Sequence, residues 1–193
     1  MTPASRSRVN LLVLSLHYSP EITGNAALMT ELTRQLAARG LAVRVVAGTP
    51  HYRLAAVPPE YRRRLYVYEV RDGVQVTRCF AIPARNNRTS KIANYLTFLA
   101  TCLPACLAGP KPDWILVVSP PFLLGLVGAV VKLLRGSKLM YNAQDLFPHA
   151  YVTGGTVQQP WLVHLMAGLQ RWIYRWADMV TTIAPALVDQ LAA

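Results

Sequence analysis

The segment after the first apolar run of the chain contains residues that could bind an anion. The run at 9–16 (VNLLVLSL) is largely apolar, as in a strand buried on both faces of a parallel sheet, and His17 follows it directly. Gly24 and Asn25 come next, at the start of an amphipathic segment. Backbone N–H groups and the helix dipole at such a junction attract a phosphate, and a glycine lets it approach closely. Gly24 also fits an ordinary turn, and His17 fits either a ligand contact or a capping role.

A carboxylate stands at an equivalent point later in the chain. The run at 138–144 reads as a strand that ends at Gln144, and Asp145 comes directly after it. Because ligands of open α/β sheets bind beyond the carboxyl ends of the strands, Asp145 is expected to face the same crevice as His17. A carboxylate there can bind a sugar hydroxyl or act as a general base, whereas capping of the next turn is the alternative. Asp145 is the candidate catalytic residue.

The sequence lacks the patterns of several other chemistries. The glycine spacing is neither G-x-G-x-x-G nor a Walker P-loop, and no acidic residue follows the second strand at ribose distance, so NAD binding is not expected. No Ser/His/Asp or Cys/His set and no metal-ligand cluster stands out. The three cysteines are too few for a disulfide framework and have no partners at zinc spacing. We therefore expect no metal and no cofactor, a reducing compartment, and core positions for Cys79, Cys102 and Cys106.

Positive charge is concentrated in the first half of the chain. The whole chain has 20 Lys and Arg against 9 Asp and Glu. Residues 1–91 hold 14 basic and 5 acidic residues, whereas residues 92–193 hold 6 and 4. Such asymmetry favours an anionic partner, either phosphates, nucleic acid or an anionic lipid leaflet, over a merely solvated surface. The basic residues form two clusters: Arg62, Arg63 and Arg64, and Arg85, Arg88 and Lys91.

Strand and helix signals alternate along the chain. Besides the two runs above, strands are predicted at 43–47, 114–119 and 179–183, and a β-hairpin at 66–70 and 74–80, turning on Asp72-Gly73. Helices are predicted at 26–39, 89–108, 121–134 and 159–177. The first should bury Leu28, Leu32 and Leu36, and the second should bend or end near Pro104.

The alternation predicts an α/β fold with a doubly wound, mostly parallel, Rossmann-like sheet. The globular domain is expected to span 9–184. Residues 1–8 should form a flexible N-terminus. Residues 185–193 should open a helix or linker towards a further domain that this sequence does not contain.

Three apolar features resemble membrane elements. The opening run is only eight residues long and lacks a small-residue cleavage site, so we do not interpret it as a secretory signal. The run at 92–108 is 17 residues long and contains polar residues, and we interpret it as a helix that does not cross a membrane. The helix at 159–177 carries Trp161, Trp172, Tyr174 and Trp176, which suit either a core or a membrane-interface belt; we favour the core.

Three motifs together resemble one known family. YSPEITG, VVSPPFLLG and QDLFP, at their separations here, are similar to motifs in the N-terminal domain of retaining GT-B glycosyltransferases. The similarity is to family-four enzymes that build bacterial polysaccharides, of the fucosamine- and colanic-acid-transferase kind. It covers nearly the whole chain from residue 9 onward.

The resemblance implies a division of labour between two domains. The N-terminal domain of such enzymes binds the acceptor, often a polyprenyl-diphosphate-linked sugar at the cytoplasmic face of the membrane. The C-terminal domain binds the nucleotide-sugar donor, and that domain is missing from these 193 residues. The resemblance therefore implies the acceptor-binding half of a glycosyltransferase for a lipid-linked or cell-envelope saccharide, inactive alone and peripheral to the inner face of the cell membrane.

The resemblance also implies roles for individual residues. Gly24, with Asn25 beside it, would approach the diphosphate of the donor, and Asp145 and His17 would position the acceptor. Gln144 is a candidate substrate-binding residue, although many relatives carry histidine there, which argues against a histidine-centred role at this strand end. The basic first half of the chain and the apolar helix at 92–108 would meet anionic lipid and the prenyl chain of the acceptor, and the two basic clusters are the candidate membrane- and acceptor-binding residues.

Two other interpretations compete with an enzyme. The chain could be a non-catalytic, membrane-recruiting subunit of a split glycosyltransferase, which the continuation of the reading frame past Ala193 would distinguish. A nucleic-acid-binding module is suggested by charge alone. The sequence lacks helix-turn-helix, RNP and zinc patterns, so we expect no nucleic-acid partner.

Overall fold

The structure, a computed structural model, describes residues 8–52, 56–85, 87–144 and 159–183. These ranges contain one sheet of seven strands: β1 Asn10–Ser15, β2 Ala42–Gly48, β3 Tyr66–Arg71, β4 Val74–Cys79, β5 Trp114–Val118, β6 Lys138–Ala143 and β7 Met179–Thr182. They also contain four α-helices: α1 Gly24–Ala38, α2 Arg88–Ala108, α3 Leu124–Arg135 and α4 Pro160–Trp176. A short 3-10 helix spans Pro59–Tyr61.

The strand order confirms the predicted doubly wound sheet. The strands lie in the order β3-β4-β2-β1-β5-β6-β7. All neighbouring strands are parallel except β3 and β4, which form an antiparallel hairpin. Its turn places Asp72 and Gly73 at φ 50° and 78°, as the Asp-Gly pair predicts. The chain lays β2 on one side of β1 and later β5 on the other, so a crevice opens between the carboxyl ends of β1 and β5.

Helices cover the sheet on both faces. α1 packs on one face, against a core that includes Val13, Val45 and Val118. α2, α3 and α4 pack on the other face, where Leu12, Leu14 and other residues are buried. Because consecutive residues of β1 point to opposite faces, both of which are covered, the strand needs a continuous apolar run.

The buried side of α1 differs from the predicted one. The helix buries Ala26, Met29 and Thr33, whereas Leu28 is 47% exposed. Leu32 and Leu36 are only partly buried. Thr33 takes a core position because its hydroxyl lies 2.7 Å from the Tyr18 hydroxyl and also bonds the Met29 carbonyl at 2.8 Å. With Thr33 buried, the side of α1 that faces the sheet is the one with Met29 and Thr33, one residue further along the chain than Leu28 and Leu32.

α2 continues through Pro104 to Ala108, so the helix does not end at the proline. Proline removes one helical N–H, and its usual acceptor would be the carbonyl of Ala100. Both residues are exposed, so water can satisfy that carbonyl. The end of the helix is held from outside: Arg44 Nη1 donates to the Ala105 carbonyl at 3.1 Å, and Arg135 Nη2 to the Leu107 carbonyl at 2.8 Å.

The helix predicted from residue 121 begins three residues later. Residues 121–123 form a turn in which the Leu124 N–H donates to the Pro121 carbonyl at 3.0 Å, and α3 starts at Leu124. The helix then lies close to the sheet. A Cβ on Gly128 would lie 2.5 Å from Val117 Cγ2 and 2.9 Å from Leu139 Cδ1.

We predict that Gly128→Val destabilises the domain by about 2–3 kcal/mol, because the added side chain forces α3 away from β5 and β6. Gly168→Val is the matched control, since nothing lies within 4 Å of a Cβ there. Urea unfolding followed by circular dichroism measures both. Equal stability of the two variants would show that α3 does not depend on this close approach.

The tryptophan helix α4 does not place all its aromatic rings in the core. Trp161 is 67% exposed and Trp172 is 41% exposed, whereas Tyr174 and Trp176 pack against the core. The favoured core interpretation is therefore wrong for the first two. The interpretation of the cysteines is confirmed, because Cys79, Cys102 and Cys106 are all buried and unpaired by disulfides. The segment 185–193, expected to open a helix or linker, lies outside the described residues.

Candidate functional site

The carboxyl edge of the sheet collects the segments that were predicted to carry function. The loops after β1, β2, β4 and β5 all leave the sheet at this edge, because these strands are parallel. His17, Gly24, Asn25 and Gln144 lie there. Asp145, the predicted catalytic residue, lies outside the described residues.

A buried carboxylate, Glu21, organises the loop after β1. Its side chain is 2% exposed. Oε2 accepts a hydrogen bond from His17 Nδ1 at 2.6 Å. Oε1 accepts from the backbone N–H groups of His51 and Tyr52, at 2.8 and 2.9 Å. The carboxylate therefore joins the loop after β1 to the loop after β2.

Hydrogen bonds keep Glu21 ionised despite its burial. Burial alone would raise the pKa of this carboxyl group. The bond and charge of His17, and the two backbone N–H groups, outweigh burial and hold the pKa below its ordinary value. Glu21 is therefore a fixed negative charge at the edge of the crevice.

His51 extends this network to the first turns of α2. Its Nδ1 lies 2.8 Å from the Thr49 carbonyl, which can only accept, so Nδ1 carries the proton. Asn94 Nδ2 lies 3.3 Å from Nε2 on the other side of the ring and is placed to donate to it. Asn94 is 1% exposed and also donates to the Ile82 carbonyl at 2.7 Å. The network thus fixes three segments of the carboxyl edge relative to one another.

His17 presents one ring nitrogen for further contacts. Nδ1 is used by Glu21, and Nε2 has no hydrogen-bond partner among the described residues. The side chain is 15% exposed, and the Tyr52 ring stands edge-on at 5.5 Å. Because Glu21 accepts from Nδ1–H, the ring is held with Nε2 directed towards the crevice, where it can contact a ligand. This geometry fits a ligand contact better than a capping role.

Arg78 anchors the same loop from β4. Its guanidinium lies between the rings of Tyr18 and Tyr61, at 5.5 and 5.8 Å from the ring centroids. It donates to the Ser19 carbonyl and, through Nε, to Glu69 Oε1 at 2.8 Å. A charged side chain that is 1% exposed needs such partners. The loop after β1 is therefore held at both its start and its middle.

Gly24 is the first residue of α1 rather than the residue before it. Thr23 is the N-cap, and its hydroxyl accepts from the Ala26 N–H at 2.9 Å. Gly24 is exposed, and nothing lies within 4 Å of the position of a Cβ. Both polar atoms of the Asn25 side chain are buried and have no hydrogen-bond partner among the described residues. An unpartnered buried amide is costly, so Asn25 is a residue for which a ligand could supply the missing partner.

Gln144 lies at the end of β6, beside the loop after β5. Its backbone N–H donates to the Ser119 hydroxyl at 3.2 Å, and its Nε2 donates to Asn142 Oδ1 at 3.0 Å. Asn142 in turn donates to the Thr181 hydroxyl at 3.0 Å. This chain of polar groups runs from β5 to β7 along the carboxyl edge, so Gln144 lies at the edge that carries His17.

The two basic clusters lie at one corner of the carboxyl edge. Arg62, Arg63 and Arg64 come just before β3, and Arg85, Arg88 and Lys91 come after β4. Because β3 is antiparallel to β4, the start of β3 at Tyr66 lies beside the end of β4 at Cys79. All six side chains belong to exposed residues and form no ion pair within the described ranges. Beside the second cluster is a hollow of about 400 Å³, lined by Ile82, Pro83, Arg85, Asn87, Thr89, Ser90 and Ala93. An anion with an apolar attachment would suit this corner.

Within the described residues, no group of three or more His, Cys, Asp or Glu side chains is placed to hold a metal ion.

Sequence reasoning missed Glu21 and His51. A signal for His51 was available, since it follows β2 as His17 follows β1, and neighbouring parallel strands bring such residues together. Glu21 gave a weaker signal, because a carboxylate beside a proline in a loop resembles a turn residue.

Comparison with known proteins decides the family. A family model described as a glycosyl transferase 4-like domain matches residues 23–193. The chain belongs to this glycosyl transferase 4-like family. The putative colanic acid biosynthesis glycosyl transferase WcaI of Escherichia coli (strain K12) is 25% identical to it, over 94% of this chain and 46% of that protein. The resemblance to family-four GT-B glycosyltransferases is thereby confirmed.

The glycosyl transferase 4-like domain also has a structural relative. Sucrose-phosphate synthase from Thermosynechococcus elongatus matches it with a TM-score of 0.66 at 16% identity, over 96% of this chain and 45% of that one. This match confirms the Rossmann-like α/β fold. The chain spans less than half the length of both relatives.

Proposed function

We propose that this domain holds the acceptor in a glycosyltransferase that moves a sugar from a nucleotide-sugar to a lipid-linked or cell-envelope saccharide. The observation that carries the proposal is the family match over residues 23–193. The polar network of His17, Glu21 and His51 at the carboxyl edge of the sheet supports it. In this proposal the nucleotide and the donor sugar bind mainly outside this chain, and the domain does not transfer sugar alone.

The first turn of α1 assists departure of the donor's diphosphate. Transfer with retention of configuration needs stabilisation of the negative charge that develops on this leaving group. The N–H groups at the start of α1 provide partial positive charge, and exposed Gly24 lets a phosphate approach them. The buried amide of Asn25, without a partner among the described residues, supports a ligand contact at this turn.

The acceptor hydroxyl is positioned by the loops after β1 and β6. His17 offers Nε2 in an orientation fixed by Glu21. Gln144 and the adjacent Asp145 follow the neighbouring part of the sheet. We propose that Asp145 binds and polarises the acceptor hydroxyl, and that orientation supplies much of the rate acceleration.

We place this reaction at the inner face of the cell membrane. The basic corner, with its hollow of about 400 Å³, supports the approach of a diphosphate attached to an apolar chain. The name of the relative WcaI, which refers to colanic acid biosynthesis, supports a role in polysaccharide assembly. The alternative of a non-catalytic recruiting subunit uses the same basic corner but requires the donor site on a separate chain.

A transfer assay tests the proposed function. The full-length protein is incubated with UDP- and GDP-sugars and a polyprenyl-diphosphate-linked saccharide in detergent, and the product is analysed by mass spectrometry and NMR. We expect one donor to give a lipid-linked product with retained anomeric configuration. Acceptor binding without transfer from any donor would favour the recruiting subunit, and an inverted product would contradict the retaining mechanism.

We predict that Gly24→Ala separates ligand binding from stability. No neighbour lies within 4 Å of the new Cβ, so the unfolding free energy should change by less than about 0.5 kcal/mol. The methyl group would stand between the N–H groups of α1 and the donor phosphates, so the KM for the donor should rise about tenfold. Steady-state kinetics measures this. Gly168→Ala in α4, which is equally unhindered, serves as the control, and equal donor KM values for the two variants would remove Gly24 from the site.

A further inference from the structure

The outer surface of the α2, α3 and α4 layer is rich in exposed apolar side chains. The three helices lie side by side on one face of the sheet, and α3 packs against both of the others. Seven large residues of this layer are between 41% and 69% exposed: Ile92, Leu96, Leu133, Leu134, Trp161, Leu165 and Trp172. An outer layer in contact with water alone would carry polar residues at these positions.

The charge of this layer has one sign. The 21 residues of α2, the 12 of α3 and the 17 of α4 include no aspartate or glutamate. The exposed residues Arg88 and Lys91 stand at the start of α2, and the exposed residues Arg171 and Arg175 stand in the second half of α4. On the opposite face of the sheet, α1 carries both Glu31 and Arg34.

We infer that the outer face of α2, α3 and α4 docks onto an anionic lipid bilayer. Exposed leucine and isoleucine side chains enter the boundary between headgroups and acyl chains, Trp172 lies at headgroup level, and the arginines and lysine bind lipid phosphates. This inference deepens the proposed function and rests on its placement of the reaction at the membrane.

The helices lie on the bilayer rather than across it. α2 is long and apolar enough to span a membrane by length and composition. However, Phe98, Cys102 and Cys106 on its inner side are fully buried against the sheet. Only its outer side, with Ile92 and Leu96, is available to lipid, which is the pattern of an interfacial helix.

This orientation explains the position of the basic corner. α2 begins at the carboxyl edge of the sheet, directly after the loop that carries Arg85. With the helical layer flat on the bilayer, the crevice opens alongside the membrane surface. A lipid-linked acceptor can then present its diphosphate to the basic corner while its chain stays in the bilayer.

The charge pattern favours lipid over a second copy of the chain. Two such faces in contact would bring arginines and lysines together without a single acidic partner from these helices. An anionic leaflet supplies the missing negative charge and accepts the apolar side chains as well.

Vesicle binding by the full-length protein tests this surface. Sedimentation is measured with phosphatidylcholine vesicles containing about 30% phosphatidylglycerol, and with phosphatidylcholine alone. The test variant is the double substitution Leu133→Glu, Leu134→Glu. The matched control is Ala27→Glu, Leu28→Glu, which adds the same two charges to exposed apolar residues of the opposite layer. Thermal melts verify that both variants are folded.

We expect the double variant to lose about tenfold or more in partitioning and the control less than about twofold. Wild-type binding should weaken in salt and on neutral vesicles. No wild-type binding, or equal loss in both variants, would overturn the docking surface. So would a wild-type dimer in light scattering that the double variant dissociates.

Transfer to a water-soluble, short-chain acceptor without vesicles distinguishes a failure of the proposed function from a failure of the docking surface. The double variant should transfer as well as wild type in that assay, because its substitutions lie far from the carboxyl-edge network. Absence of transfer by every form would count against the proposed function, whereas normal transfer with unaltered vesicle binding by the double variant would count against the docking surface alone.

Discussion

Glu21→Ala is expected to lower the free energy of unfolding by about 3 kcal/mol. The substitution removes the acceptor of three hydrogen bonds from a site that is 2% exposed. The backbone N–H groups of His51 and Tyr52 then lose their acceptor, and His17 loses the group that orients its ring. The loops after β1 and β2 should loosen together, so acceptor affinity should fall along with stability.

The free energy of unfolding should also depend on pH through the titration of Glu21. The pKa of Glu21 is lowered in the folded state from an ordinary value of 4.5. The ionised carboxylate therefore stabilises the fold fully above that ordinary value, and this contribution disappears as the pH falls through the lower, folded pKa. Glu21→Gln keeps an accepting oxygen but cannot titrate. Below pH 4.5 the stability of wild type should thus fall more steeply than that of Glu21→Gln.

Chemical denaturation at several pH values, followed by circular dichroism, measures both effects. Glu31→Gln is the control, because Glu31 is an exposed carboxylate that pairs with Arg34 on the surface of α1. Removing the charge of Glu31 should change the free energy of unfolding little. If Glu21→Ala proved as stable as Glu31→Gln, the buried network would not organise the crevice.

Asp145→Asn is expected to reduce kcat about a hundredfold in the full-length enzyme. The amide keeps the size of the side chain but cannot accept a proton or hold the acceptor hydroxyl with a negative charge. Donor KM should change little, since the donor phosphates are assigned to the first turn of α1.

Asp113→Asn is the matched control for this effect. Asp113 lies at the amino edge of the sheet, where its Oδ2 accepts from the Asn10 N–H at 2.8 Å. Steady-state rates of lipid-product formation compare the two variants. A fully active Asp145→Asn enzyme with unchanged acceptor KM would rule out Asp145 as the group that positions the acceptor.

The sheet was predictable from sequence because its strands are buried on both faces. β5 is a continuous apolar run and β1 is apolar between Asn10 and Ser15, and their predicted bounds differ from the observed ones by at most one residue at each end. The doubly wound arrangement was predictable from the alternation of strand and helix signals, since only a few topologies satisfy it.

Details that depend on single side chains were less predictable. The buried stripe of α1 is set by the hydroxyl pair of Tyr18 and Thr33, which no hydrophobic pattern indicates. Trp161 and Trp172 looked like core residues because aromatic rings usually are. Their exposure depends on how α4 is rotated against α3, which is decided by tertiary packing.

Only part of the candidate site could be predicted from the sequence. His17 and Gly24 could be chosen because they follow an apolar strand at the edge where parallel sheets bind ligands. Glu21 could not, because its role comes from backbone N–H groups of residues 51 and 52, thirty positions away in the chain. Such a partnership exists only once β1 and β2 are paired.

Hydrogen exchange of the full-length protein, with and without a lipid-linked saccharide acceptor in detergent, tests the central claim most directly. That claim is that the acceptor binds at the carboxyl edge of this domain. We expect slower exchange at residues 17–25 and 49–52 on adding acceptor, with no change at residues 109–113 of the amino edge. Protection of the amino edge, or unchanged exchange at 17–25 with saturating acceptor, would contradict it.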